Sequence, residues 1–172
     1  MCDTEVYTVR VDSVNTPVSN VSFTSYINIP LRNVTKAELI MASMNVNSTN
    51  SNVFYVAVDE LASKFNDRAD LQYTLSAAGS ISTQGGITAD VSNVSYLRTA
   101  IACIPAEPVN PRTVYRAQGD FPTDIPFIEP IRQIKTLTVS IYDDFGNLAP
   151  DNGPTFLTFR FTCAKPNVCL YP

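Results

Sequence analysis

Apolar and polar residues alternate along most of this chain with a period of two, the period of a half-buried β-strand. Near the C-terminus Leu137, Val139 and Ile141 share one parity, while Thr136, Thr138, Ser140 and Tyr142 share the other. The run Thr155 to Cys163 repeats the scheme, with Leu157, Phe159, Phe161 and Cys163 set against Thr158, Arg160 and Thr162. Joined across Asp143-Asp144-Phe145-Gly146-Asn147, a turn by composition, the two runs are expected to be neighbouring strands that share one continuous apolar face.

The N-terminal half carries the same signal. Tyr7, Val9 and Val11 alternate with Thr8 and Arg10, and after turn material at Asn15-Thr16-Pro17 the set Val21, Phe23, Ile27 and Ile29 alternates with Ser22, Thr24, Tyr26 and Asn28. Pro30 is expected to close that second strand, because it removes a ladder donor. Lys36 to Val46 contains good helix formers, but Ala37, Leu39 and Met41 keep period two and favour a strand. Asn47 to Asn52 reads as a polar hairpin loop, and Val53 to Val58 as a β-branched and aromatic strand.

Asp59 to Arg68 holds the one expected helix, with Leu61, Ala62 and Phe65 at helical spacing. Leu71, Tyr73 and Leu75 alternate again, and the small-residue stretch Ala77 to Ser95 reads as a long hairpin or exposed loop. Leu97, Thr99, Ile101 and Cys103 form a further strand parity, followed by Thr113 to Ala117. Ile104 to Pro130 includes Pro105, Pro108, Pro111, Pro122, Pro126 and Pro130, and is expected to be a Pro-rich loop rather than a regular ladder. Its apolar residues Phe121, Ile125, Phe127 and Ile128 either cover one end of the fold or meet another chain.

The sum is about eight or nine short strands with turn signals roughly every ten residues and at most one short helix, which fits a sandwich or barrel. For 172 residues the expectation is one domain over 1–172, an all-β, single antiparallel jelly roll of two sheets and about eight strands.

Charged residues are only 16% of the chain, against about 25% in ordinary globular proteins. The surface therefore leans on hydroxyls and amides. A net charge of −4 with scattered basic residues argues against direct nucleic-acid binding, which needs clustered Lys and Arg. No secretory signal precedes the first strand and no apolar run approaches a membrane span, so synthesis in the cytosol is expected. Cys2, Cys103, Cys163 and Cys169 lack CxxC spacing and are expected as free thiols; only proximity in sequence favours a Cys163 to Cys169 bridge. Cys103 and Cys163 fall on apolar parities and are expected to be buried.

The chain contains no histidine, which removes Ser-His-Asp and Cys-His catalysis and the usual His-based metal sites. Phosphate-loop, dinucleotide and hydrolase-elbow motifs are missing too. The remaining acid pairs, Asp143 with Asp144 and Asp120 with Asp124, or Glu107 and Glu129, do not form a convincing glycosidase pair. Asp143, Asp144, Asn147, Asp151 and Asn152 offer oxygen donors for calcium, although without EF-hand spacing, and the turn reading is preferred. The expectation is therefore no enzyme, no catalytic residue, no cofactor and no metal. The sequons at Asn20, Asn33, Asn47 and Asn93 are expected to stay unmodified.

Two groups of segments carry a resemblance. Val9-Arg10-Val11-Asp12-Ser13, then Tyr26-Ile27-Asn28-Ile29-Pro30-Leu31 and Lys36-Ala37-Glu38-Leu39-Ile40-Met41-Ala42-Ser43, resemble the opening of minor capsid and penton proteins of large double-stranded DNA viruses, virophages and related elements. Thr136 to Asn147 followed by Phe156-Leu157-Thr158-Phe159-Arg160-Phe161 is similar to the closing strands of the same coat proteins. The resemblance implies a single jelly roll that assembles as a homopentamer at the icosahedral vertices of the virion. Its neighbours would be trimers of a double jelly-roll major capsid protein, with other minor capsid proteins as further partners, after synthesis in the host cytoplasm. No receptor-binding domain is added, so host attachment is not expected.

In that role the fold is itself the mechanism, and five copies meeting head to tail close the ring. Phe121, Phe127 and Ile128 are the expected interface residues. The alternative is a carbohydrate-binding, lectin-like jelly-roll module, whose aromatic platform here must come from Tyr, since Trp is absent.

Overall fold

A computed structural model describes residues 3–14, 19–46, 51–62, 73–75, 81–83, 88–89, 100–106, 112–117, 124–144 and 146–165. Ten antiparallel strands run through them: β1 (Thr4–Asp12), β2 (Ser22–Met44), β3 (Val53–Val58), β4 (Tyr73–Leu75), β5 (Ile81–Thr83), β6 (Thr88–Ala89), β7 (Ala100–Pro105), β8 (Thr113–Arg116), β9 (Asp124–Tyr142) and β10 (Phe156–Ala164). Seven of them form one sheet in the order β1-β10-β2-β9-β3-β7, with β8 added on β2, while β4-β5-β6 make a separate three-stranded sheet. The small sheet falls largely within the stretch expected as a long hairpin.

The two long strands decide the architecture. β2 pairs through Val34 to Ser43 with β10, whose far side pairs with β1, and through Met41 to Met44 with β8. Its first half pairs instead with β9, from Ser22↔Ser140 to Tyr26↔Thr136, and β9 in turn pairs with β3 and β3 with β7. The continuous ladder thus divides into two layers, β1-β10-β2 with β8 and the first part of β9 along the far side of β2, and β2-β9-β3-β7. Leu39, Phe159 and Phe161 from the first layer and Phe54, Leu137 and Ile141 from the second meet in one hydrophobic core. This is a jelly-roll-like arrangement.

The crossing between layers occurs at two reciprocal irregularities. Between Tyr26↔Thr136 and Leu31↔Ile134, the residues Ile27, Asn28, Ile29 and Pro30 stand opposite Lys135 alone. Between Val34↔Ile131 and Lys36↔Pro126, the residues Phe127, Ile128, Glu129 and Pro130 stand opposite Thr35 alone. These are enlarged bulges, the device that bends a strand and raises its twist. Asn33, at φ 51, takes the left-handed conformation between them, which Asn tolerates better than most residues.

Several expectations change accordingly. Pro30 does not end its strand, because it lies in an insertion where no ladder donor is required. Asp124 to Pro130 is not loop but the start of β9, with Ile125 buried opposite Ala37. β9 and β10, expected as neighbouring strands, keep their apolar parities but are not a hairpin. Both ladder sides of β10 are taken by β1 and β2, so β9 can face it only across the core. The turn at Asp143 instead folds the chain back on β9: Asp143 N donates to Asn147 O at 2.8 Å, and Ala149 N to Ile141 O at 2.9 Å.

The helix expected from Asp59 is reduced to a 3₁₀ turn, Asp59–Leu61, since Ala62 at φ −60, ψ 116 is already extended; the rest of that expectation lies outside the described residues. Cys163 is buried as expected and burial pushes its thiol up, whereas Cys103 is exposed: β7 is an edge strand, and Cys103 lies on its outward side between buried Ala102 and Ile104. Cys2 and Cys169 lie outside the described residues. Among the described residues no helix is long and apolar enough to cross a membrane.

Candidate assembly surface

The bulges that turn the strands from one layer to the other also expose apolar side chains. Ile29 and Ile128, one in each insertion, are each 75% exposed, and Tyr26, at the edge of the first insertion, is 81% exposed. In a regular strand of this parity Ile29 would follow Phe23 and Ile27 inward. The extra residues break that alternation, so the side chain leaves the core. The short ladder of Leu31, Arg32 and Val34 on Ile134, Gln133 and Ile131 separates the two insertions, with Leu31, Val34 and Ile134 buried beneath.

The three residues expected at an interface separate here. Ile128 projects from the fold, Phe127 is half-buried and packs against the core, and Phe121 lies outside the described residues. Phe127 thus helps to cover the fold, while Ile128 is left outside it. Ile29 has the exposure of Ile128 although its parity pointed inward, whereas Tyr26 is exposed as its place on the polar parity of Ser22 and Thr24 requires.

Two ion pairs lie near the insertions. Lys36 Nζ lies 2.7 Å from Asp124 Oδ2 at the foot of the second insertion, and this contact holds the Asp124 carboxyl below its ordinary range. On the same outward side of the first layer Arg160 Nη1 meets Glu38 Oε2 at 3.3 Å.

The outward face of the second layer carries hydroxyls opposite one another: Ser22 and Ser140 Oγ are 3.4 Å apart, Thr24 and Thr138 Oγ1 3.3 Å. Glu60, delivered by the 3₁₀ turn, closes this ladder. It accepts from Thr136 Oγ1 at 3.1 Å, Thr138 Oγ1 at 3.0 Å and Thr138 N at 2.7 Å. The carboxylate thereby continues β3's side of the ladder after the strand has ended at Val58.

The oxygen donors considered for calcium disperse to separate partners. Asp143 Oδ1 accepts from Asn147 N, Asp144 Oδ2 from Asn52 N, and Asp151 from Ser19 and Asn20. Among the described residues no three His, Cys, Asp or Glu side chains gather as metal ligands. Of the acid pairs, Asp124 is tied to Lys36 and Glu129 sits in the second insertion, while Glu107 and Asp120 lie outside the described residues. Comparison with models of known protein families gives no match, and comparison with curated proteins gives none either.

Proposed function

We propose that the chain is a structural capsid protein, the penton of a double-stranded DNA virus, and not an enzyme. One observation carries the reading: the segments that resemble coat proteins fold into β1, β10, β2 and β9, four strands contiguous in one ladder. They include Ile27 to Pro30, the first of the two insertions at which the strands cross between layers, the feature on which a jelly roll depends. Weakly charged, hydroxyl-rich flanks suit burial against neighbours, because little charge must be desolvated. Five copies would close a head-to-tail ring at the vertex, against trimers of a double jelly-roll major capsid protein, with Tyr26, Ile29 and Ile128 as contact residues.

Size-exclusion chromatography with light scattering tests the ring directly. The reading expects a mass of five chains, or recruitment into five-fold rings when the major capsid protein is present. A chain that stays monomeric in both settings contradicts it.

A carbohydrate-binding module is the second reading, favoured by the exposed Tyr26 ring beside the hydroxyl ladder, since aromatic faces stack on sugar rings. A glycan array separates the two, with Tyr26→Ala abolishing any signal that this surface produces.

A further inference from the structure

Among the described residues the outer edge of β1 has no partner strand. There β1 pairs with β10 alone, and its register runs without a break from Thr4↔Ala164 to Asp12↔Phe156. Its side chains are exposed from Thr4 to Thr8, with Val6 at 61% and Tyr7 at 39%. Soluble proteins protect such edges with bulges, prolines, lysines or short length, because an edge presents unpaired N–H and C=O groups to any other strand. β1 has neither bulge, proline nor lysine over its 9 residues, and its charged side chains, Glu5, Arg10 and Asp12, leave the stretch from Val6 to Val9 uncharged. The other free edges among the described residues are short or carry proline: β4, β6 and β8 have 3, 2 and 4 residues, β7 has 6 and ends in Pro105, and the first parts of β2 and β9 carry their insertions with Pro30 and Pro130.

We propose that β1 is a docking edge for a second copy of this chain, the two β1 strands pairing antiparallel about Thr8. The partner is argued from side-chain chemistry. Pairing about Thr8 is the register that uses the whole strand, and a two-fold axis normal to the sheet keeps outward residues outward, so residue i meets j and j meets i. It sets Tyr7 against Val9 of the other copy twice, Thr8 against Thr8, Val6 against the stem of Arg10, Glu5 against Val11 and Asp12 against Thr4. Aromatic on β-branched and Thr on Thr are favourable cross-strand pairs. No like charges oppose one another, whereas centring the pairing on Glu5, Arg10 or Asp12 puts two equal charges face to face. The exposed Val6 and Tyr7 are then partly covered. This edge lies on β1, apart from the insertions of β2 and β9 assigned to the ring, so the two contacts are independent.

Thr8→Lys and Thr8→Glu test the pairing, because the Thr8 side chain is exposed and each variant opposes two equal charges at the centre of the interface. Light scattering of the full chain under reducing conditions is the measurement, with circular dichroism to show that each variant is folded. The wild type is expected at twice 18.9 kDa, or at ten chains if the ring also forms. T8K and T8E should each halve that mass, and an equimolar mixture of the two should restore it. A wild type of one chain overturns the pairing, and so does a variant that keeps the wild-type mass or a mixture that fails to recover it. A five-chain species untouched by T8K upholds the ring and overturns the edge contact; a two-chain species split by T8K does the reverse.

Discussion

Asp151 and Asn20 hold each other by two hydrogen bonds across 131 positions of sequence, Asn20 N donating to Oδ2 at 2.8 Å and Asn20 Nδ2 to Oδ1 at 2.9 Å. The pair ties the entrance of β2 to the loop before β10. Asn20 Oδ1 in turn accepts from Ser13 Oγ at 2.7 Å, and Ser13 Oγ accepts from Thr155 N at 2.9 Å, so the clasp reaches the end of β1 as well.

Desolvation raises the Asp151 carboxyl, but donors from Asn20, Gly153 and Ser19 outweigh it and bring the group below its ordinary value of 3.8. A depressed carboxyl stabilises the fold above its unfolded pKa, and that contribution is lost as pH falls through the folded one. Asp151→Asn should therefore lower stability by about 1 kcal/mol at neutral pH, after allowance for exposure. The difference from wild type should shrink below about pH 4, as urea titrations at pH 7 and pH 3 will register.

Glu60 accepts three hydrogen bonds from Thr136 and Thr138, one of them from a backbone N–H. Glu60→Ala leaves those donors to water and frees the 3₁₀ turn from β9. The expected loss is about 1–3 kcal/mol, read from the denaturation midpoint. Glu60→Gln should recover part of it, since one amide oxygen still accepts.

Phe159 is fully buried and Ile128 is 75% exposed. Phe159→Ala should cost about 3–5 kcal/mol, while Ile128→Asp should leave stability within about 0.5 kcal/mol. If Ile128 lies in the ring interface, the second variant fails to form the five-chain species although its melting curve is unchanged. Five-fold assembly by I128D at the wild-type level removes Ile128 from that interface.

Asn33 holds φ 51 between the two insertions. A β-branched residue there meets its own backbone, so Asn33→Val should cost about 1–2 kcal/mol, whereas Asn33→Gly should be close to neutral. Gly153, at φ 145, is a second such position, where an added Cβ would run into the Asn45 side-chain amide. That amide donates to Asn152 O at 2.8 Å, and thermal melts of Gly153→Ala should show the contact disturbed.

Strand identity was legible because alternation needs only a local window. Val9 and Val11, Leu157 to Cys163 and Leu137 to Ile141 point as their parities require. The Asp143 turn was legible from its composition. The exposed surface was legible in part: Tyr26 is exposed as its polar parity requires and Ile128 stands out from the fold, but Phe127 turns back to the core and Ile29 leaves the inward parity of Phe23. The difference comes from the insertions, where extra residues reset which side each neighbour faces.

The sequence alone determined an antiparallel β-protein with an apolar interior, because side-chain alternation follows from the two-residue repeat of the strand whatever it pairs with. Tertiary structure decided which strands are partners, that Pro30 and Pro130 lie within strands, and that β9 and β10 face each other across the core. Pairing is a contest among edges distant in sequence, settled by register, bulges and the filling of one shared core, and none of these is written in a local pattern.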